Sequence, residues 1–242
     1  MADTQRERSY GRALNQMRPV TLMPGVMKNA DGSCLAEFGD TRVLCTATIE
    51  EVVPQWRRGQ KAGWVTAEYA MLPASTNRRT PREQRGRKGR SMEIERLIGR
   101  SLRTVVDLRK LGELTVTCDC DVIQADGGTR TASITGAWVA LHEALRSWVD
   151  RDRIHRMPIT GQVAAVSMGE VDGLLMLDLD YPEDSHAQVD MNLVGTADGR
   201  IIEVQGTGEK TPFDRDQLNA LLDLGQAGIA ELIRLQAEAV AR

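Results

Sequence analysis

Aromatic residues are scarce, with Phe, Tyr and Trp together making up 4% of the 242 residues. No aromatic stacking motif of the RRM type is present, which argues against RNA recognition through stacked bases. No apolar run reaches the roughly 18 residues that a membrane-spanning helix needs. The segment from Met1 to Arg18 is polar and charged and lacks the apolar centre of a signal peptide, so a cytoplasmic location is expected. The four cysteines, Cys34, Cys45, Cys118 and Cys120, form no C-x-x-C pair, and only three histidines accompany them. A zinc site is therefore not expected. Cys118 and Cys120 fall at alternate positions of an apolar pattern, which reads as buried free thiols in a reducing compartment.

What is there is an ordinary globular composition, 41% hydrophobic and 27% charged, long enough for one large domain or two small fused ones. The net charge of −3 gives no hint of a polyanionic partner. Its distribution does. Between Arg78 and Arg90 lie seven basic residues (Arg78, Arg79, Arg82, Arg85, Arg87, Lys88 and Arg90) against the single acid Glu83. This Arg-, Gly- and Pro-rich stretch reads as a long loop, either facing a polyanion or simply solvated.

Around that loop the pattern alternates between hairpins and helices. Asp31-Gly32 and Gly39-Asp40 flank Cys34 to Phe38, Val43 to Ile49 follows, and Gly63 to Leu72 reads as a further strand. Ser91 is the expected N-cap of a helix carrying Ile94, Leu97, Ile98, Leu102, Val105 and Val106, closed by Gly112. Leu114 to Val122 alternates most cleanly and predicts a strand. A second helix is expected from Ala132 to Val149, and Arg151 to Pro158 is a connector. Two hairpins follow, turning at Asp172-Gly173 and Asp198-Gly199, and Asp214 caps a C-terminal helix. The order suggests a duplicated β-rich unit with crossing helices, an α+β fold.

Three features carry chemistry. Gly127-Gly128-Thr129-Arg130 joins the strongest strand to a helix start, where unpaired N–H groups, a hydroxyl and a guanidinium suit an anion. A plain tight turn is the alternative. Arg90 precedes the expected Ser91 cap and puts a second arginine at a helix start, unless it merely ends the basic loop. Asp178 and Asp180 alternate with Leu177 and Leu179, as on an exposed strand face. Asp184 and Asp190 flank a short polar segment, where two carboxylates meeting across a turn would hold Mg²⁺; the alternative is an acidic surface turn.

The stretches Arg90-Ser91-Met92-Glu93-Ile94-Glu95-Arg96-Leu97-Ile98-Gly99-Arg100 and Cys120 to Ile134 resemble signatures of the ribonuclease PH family of phosphate-dependent 3′-to-5′ exoribonucleases. So do Glu183-Asp184, Asp190-Met191-Asn192 and Glu203-Val204-Gln205-Gly206-Thr207 in the second half. The likeness runs from about Arg8 to Leu235. Gln205-Gly206-Thr207 and the chain length favour the stand-alone members over polynucleotide phosphorylase and exosome ring subunits. The resemblance implies a duplicated α+β fold like ribosomal protein S5 domain 2, with one half over residues 8–150 and the other over residues 158–238. It implies that Arg90, Gly128, Thr129 and Arg130 bind inorganic phosphate and that Asp184 and Asp190 are the catalytic acids and metal ligands. Arg78, Arg79, Arg82, Arg85, Arg87 and Lys88 would face RNA at the entrance of a homohexameric ring, a trimer of dimers. The implied activity is that of a tRNA nucleotidyltransferase. It trims 3′ ends of tRNA precursors with phosphate and Mg²⁺, releases nucleoside diphosphates, and runs in reverse by nucleotide addition.

Overall fold

The computed structural model describes residues 8–82 and 89–241. Arg85, Arg87 and Lys88 of the basic segment lie outside the described residues. The first half builds a five-stranded sheet from β1 (Val20–Pro24), β2 (Gly32–Phe38), β3 (Thr41–Glu50), β4 (Trp64–Met71) and β5 (Thr115–Gln124). The spatial order is β1-β2-β3-β5-β4. β4 and β5 run parallel, joined through α1 (Gly89–Arg103), and the other pairs are antiparallel. The alternation in β5 is real: Val116, Cys118, Cys120 and Val122 are buried while Thr117, Asp119 and Asp121 are half-exposed. All four cysteines are buried free thiols, and burial pushes the Cys34 thiol up to about 12.

α3 (Thr129–Asp150) is buried along most of its length because it is covered on more than one side. It packs on β2 and β3 of the first sheet and on β6 (Val163–Val171) of the second. Close approach requires small residues. A Cβ on Gly32 would meet the Ala140 carbonyl at 2.2 Å, and one on Gly136 would meet Ala36 Cβ at 2.8 Å. The second sheet, β6 (Val163–Val171), β7 (Leu174–Leu177), β8 (Val189–Thr196) and β9 (Ile201–Gly208), is antiparallel in the order β7-β6-β8-β9. α5 (Arg215–Val240) covers β6 and β8, and starts at an Asp214–Gln217 capping box. α4 (Tyr181–Asp184) is one turn between β7 and β8.

Three expectations are corrected. The helix after the basic segment starts at Gly89, so Ser91 lies inside its first turn and is buried rather than capping it. It ends at Arg103, not at Gly112. Thr104, Val105 and Val106 leave the helix, Val106 bridges Ile159, and Asp107 caps the separate α2 (Leu108–Leu111) that Gly112 closes. The apolar spacing of Val105 and Val106 thus reflects their burial in the core rather than continued helix. Asp178 and Asp180 do not form an exposed strand face. They are 1% and 4% exposed and paired with arginines of the N-terminal arm, which the local pattern could not reveal.

Candidate active site

Where the two sheets meet, a cavity of about 710 Å³ gathers most of the residues singled out above. Arg90, Gly128, Thr129, Arg130, Asp184 and Asp190 all line it, together with Arg78 from the basic segment. Arg79 and Arg82 are exposed and do not line it.

The side of the cavity that carries the two arginines is built from helix starts. Gly128 is the N-cap of α3 at φ 65°, with no side-chain cap, so the first N–H groups of α3 have no intrahelical acceptor. Thr129 is the first residue of the helix, and its hydroxyl is 2.9 Å from the buried Tyr69 hydroxyl. Arg130 follows it, and Arg90 stands in the first turn of α1.

The turn ahead of α3 is clamped against the acidic side. Gly127 has φ 77°, and a Cβ there would sit 2.6 Å from the Leu179 carbonyl oxygen. Only glycine tolerates both that backbone and that contact. Arg18, fully buried, reaches Asp178 with Nε at 2.9 Å and Nη2 at 2.7 Å, and its backbone N–H donates to the same carboxylate at 2.8 Å. Its Nη1 also donates to the Asp126 carbonyl. The Thr41 hydroxyl donates to the Gly127 carbonyl at 2.7 Å. Asp178 itself holds φ 55°, an uncommon conformation for a residue with a side chain. Next to it Arg12 and Arg8 both pair with Glu183 at 2.7 Å, and Asp180 and Glu183 cap α4 reciprocally. The last residue of that turn is Asp184.

Asp184 and Asp190 therefore come from rigid supports, a capped turn and a central strand. Burial raises the carboxyl of Asp184, opposed by the charges of Arg90 and Arg130. Burial, followed by the negative charge of Asp184, pushes Asp190 up to about 6. Two carboxylates that resist ionising side by side, facing two arginines, can take a divalent cation or hold a proton at neutral pH. Among the described residues no cluster of three or more His, Cys, Asp or Glu side chains is placed to hold a metal. Reading the sequence alone missed Tyr69, Ser167 and Tyr181 on the cavity wall or behind it, and missed Arg18. Nothing in their local spacing marks them, since they converge only through the fold.

Residues 16–146 match the model of the 3′ exoribonuclease family, domain 1, and residues 161–228 match that of domain 2. The chain is 58% identical over 236 residues to the ribonuclease PH of Rhodospirillum rubrum, covering 97% of this chain and 98% of that protein. The chain belongs to the 3′ exoribonuclease family. Within the family's frame, Arg90 and the Gly128-Thr129-Arg130 turn come from domain 1, and Asp184 and Asp190 from domain 2. The fold is the family's two-domain fold. A chain of the Archaeoglobus fulgidus exosome with RNA bound to the active site superposes with a TM-score of 0.77 at 23% identity, over 94% of this chain and 91% of that one. Rice Rrp46 superposes with a TM-score of 0.78 at 18% identity, over 96% of this chain and 100% of that one. At those identities the likeness is one of fold.

Proposed function

We propose that this chain is a phosphate-dependent 3′-to-5′ exoribonuclease, a tRNA nucleotidyltransferase that trims the 3′ ends of tRNA precursors. The observation that carries this reading is one cavity where two helix starts, each with an arginine, face a pair of carboxylates. Membership in the family and the ribonuclease PH relative at 58% identity point the same way.

Inorganic phosphate binds at Arg90, Gly128, Thr129 and Arg130. The unpaired N–H groups of α3 and the two guanidiniums hold it as nucleophile, which converts an encounter in solution into an aligned attack. One of its oxygens bonds to the phosphorus of the terminal phosphodiester, the bond from that phosphorus to the 3′ oxygen breaks, and a nucleoside 5′-diphosphate leaves. The shortened RNA takes a proton on its new 3′ oxygen. One member of the Asp184–Asp190 pair, or a water that it orients, delivers it. The electrostatic work falls on Arg90 and Arg130, which lie against the phosphoryl oxygens that gain charge. Asp184 and Asp190, together on the cavity wall, would hold Mg²⁺, which binds through one or two carboxylates with water and substrate phosphate. When bound, that ion supplies positive charge against the transferring phosphoryl group. Because one phosphate ester is exchanged for a phosphoanhydride, the reaction also runs backwards as nucleotide addition from diphosphates.

The basic segment, Arg78, Arg79 and Arg82 with Arg85, Arg87 and Lys88, carries the RNA towards the cavity by backbone contacts. Its exposed described arginines and the place of Arg78 on the cavity wall support this. The working form is a homohexameric ring, a trimer of dimers, in the cytoplasm. The ring is what the family resemblance implies, and an archaeal exosome core shares this fold.

The test is incubation of a 3′-extended tRNA precursor with Mg²⁺, with and without phosphate. Shortening only with phosphate, with release of nucleoside diphosphates, is expected. Nucleoside monophosphates released at an undiminished rate without phosphate would overturn the proposal.

A further inference from the structure

Arg130 is held in place by the half of the protein that does not carry it. Its Nη1 donates to Gln205 Oε1 at 2.8 Å and lies 3.6 Å from Glu93 Oε1. The other end of the Gln205 amide is engaged too: Nε2 donates to Glu93 Oε1 at 3.2 Å and to Glu203 Oε1 at 3.0 Å. Glu203 in turn takes a two-pronged ion pair from Nε and Nη2 of Arg100. Glu93 and Arg100 are on α1, Arg130 is the second residue of α3, and Glu203 and Gln205 are on β9 of the second sheet.

An amide is the one side chain whose chemistry satisfies all of these neighbours. Its oxygen accepts from the guanidinium, and its nitrogen donates to both carboxylates. Being neutral, it fixes Arg130 without cancelling its charge, and it takes one of the guanidinium's N–H groups while leaving the rest of the fork for an anion. With an apolar side chain there, Arg130 would lose the neutral partner that holds it and keep the Glu93 carboxylate beside it. Glu93, already 3.6 Å from the guanidinium, could then draw it into a closer ion pair in competition with a bound anion.

We infer that Gln205 is a positioning residue for inorganic phosphate, aligning Arg130 from across the junction of the two halves. This rests on the reading of Arg130 as a phosphate ligand. It assigns a specific duty to β9, which otherwise lies at the edge of its sheet with Ile201 and Val204 exposed.

The test is a steady-state double-mutant cycle on the full-length protein with Gln205→Met, Arg130→Met and the pair, varying phosphate and RNA separately. Gln205→Met is expected to raise KM for phosphate about tenfold. Both kcat at saturating phosphate and KM for RNA should stay within about twofold. On the Arg130→Met background, Gln205→Met should add nothing. Should Gln205→Met fail to fold, Gln205→Asn, which shortens the amide by one methylene, is read the same way. An unchanged phosphate KM in the Gln205 variant, with a raised one in Arg130→Met, overturns the inference and leaves the phosphate site standing. Independent, multiplying effects of the two substitutions also overturn it. An unchanged phosphate KM in Arg130→Met overturns the phosphate site itself.

Discussion

Asp190 combines a functional position with a folding cost. Its carboxyl is pushed up to about 6 by burial and by Asp184, so the folded chain disfavours the charged form that the unfolded chain adopts above about pH 4. The contribution is favourable at low pH and is lost as pH rises through the folded value. Asp190→Asn should therefore raise the stability of the metal-free protein at pH 7.5 by about 1–3 kcal/mol, with the gain vanishing near pH 4. The same variant should lose nearly all turnover. Thermal melts across that pH range, paired with an activity assay, check both. A variant as stable as the parent at every pH would contradict the assigned environment. Arg90 makes the complementary case. It stands exposed in the first turn of α1, where folding requires nothing of it. Arg90→Ala should leave the melting temperature within a degree or so and raise KM for phosphate about tenfold to hundredfold, the effect of losing one charge-assisted contact. A phosphate titration that superposes on that of the parent would remove Arg90 from the cradle.

The elements differ in how openly the sequence declares them. β5 and α3 were legible because a strict alternation and a long apolar helical stretch each admit one reading. The turn at Asp172-Gly173 was legible because both residues adopt positive φ, which that pair tolerates. The anion cradle and the acidic pair were visible as motifs. Their convergence was not, because it depends on Arg18, Thr41 and Gly127 tying one turn to another across the junction of the sheets. β1 was missed because it is only five residues long and ends in Pro24, and the arm before it because it is polar. The arm's arginines in turn explain why Asp178 and Asp180 misled: charge alternating with leucine signals a wet strand unless a distant guanidinium arrives. Breaking that buried pair is costly. Arg18→Met strips Asp178 of its two-pronged partner and leaves only Arg12, at 3.6 Å, to face the buried carboxylate; it should destabilise the protein by about 3 kcal/mol, read by denaturant unfolding. A loss below 1 kcal/mol would show that the pair contributes little. The basic segment belongs to the opposite regime, since Arg78, Arg79 and Arg82 are exposed. Replacing all three by glutamine should weaken binding of a structured RNA and lower its log–log salt slope by about 0.7–0.9 per lost contact. Phosphorolysis of a very short oligonucleotide should change less. If the triple variant dissociates on sizing while its remaining oligomer keeps the parent's salt slope, these arginines are assembly contacts instead.

At the scale of the whole molecule, the two halves divide the chemistry. In the proposed mechanism one brings the nucleophile's cradle on α1 and α3 and the other the acids on α4 and β8, and the cavity they line lies where the two meet. Neither half is competent alone on this account, which is why net charge and composition say so little about what the chain does. The central claim is that phosphate held at the helix starts is itself the nucleophile. Supplying ¹⁸O-labelled inorganic phosphate in ordinary water and weighing the released nucleotide by mass spectrometry tests it directly. The account predicts nucleoside diphosphates carrying the label in the terminal phosphoryl group, with no uptake of oxygen from water. Unlabelled nucleoside monophosphates, or label arriving from ¹⁸O-water in the reciprocal experiment, would contradict it.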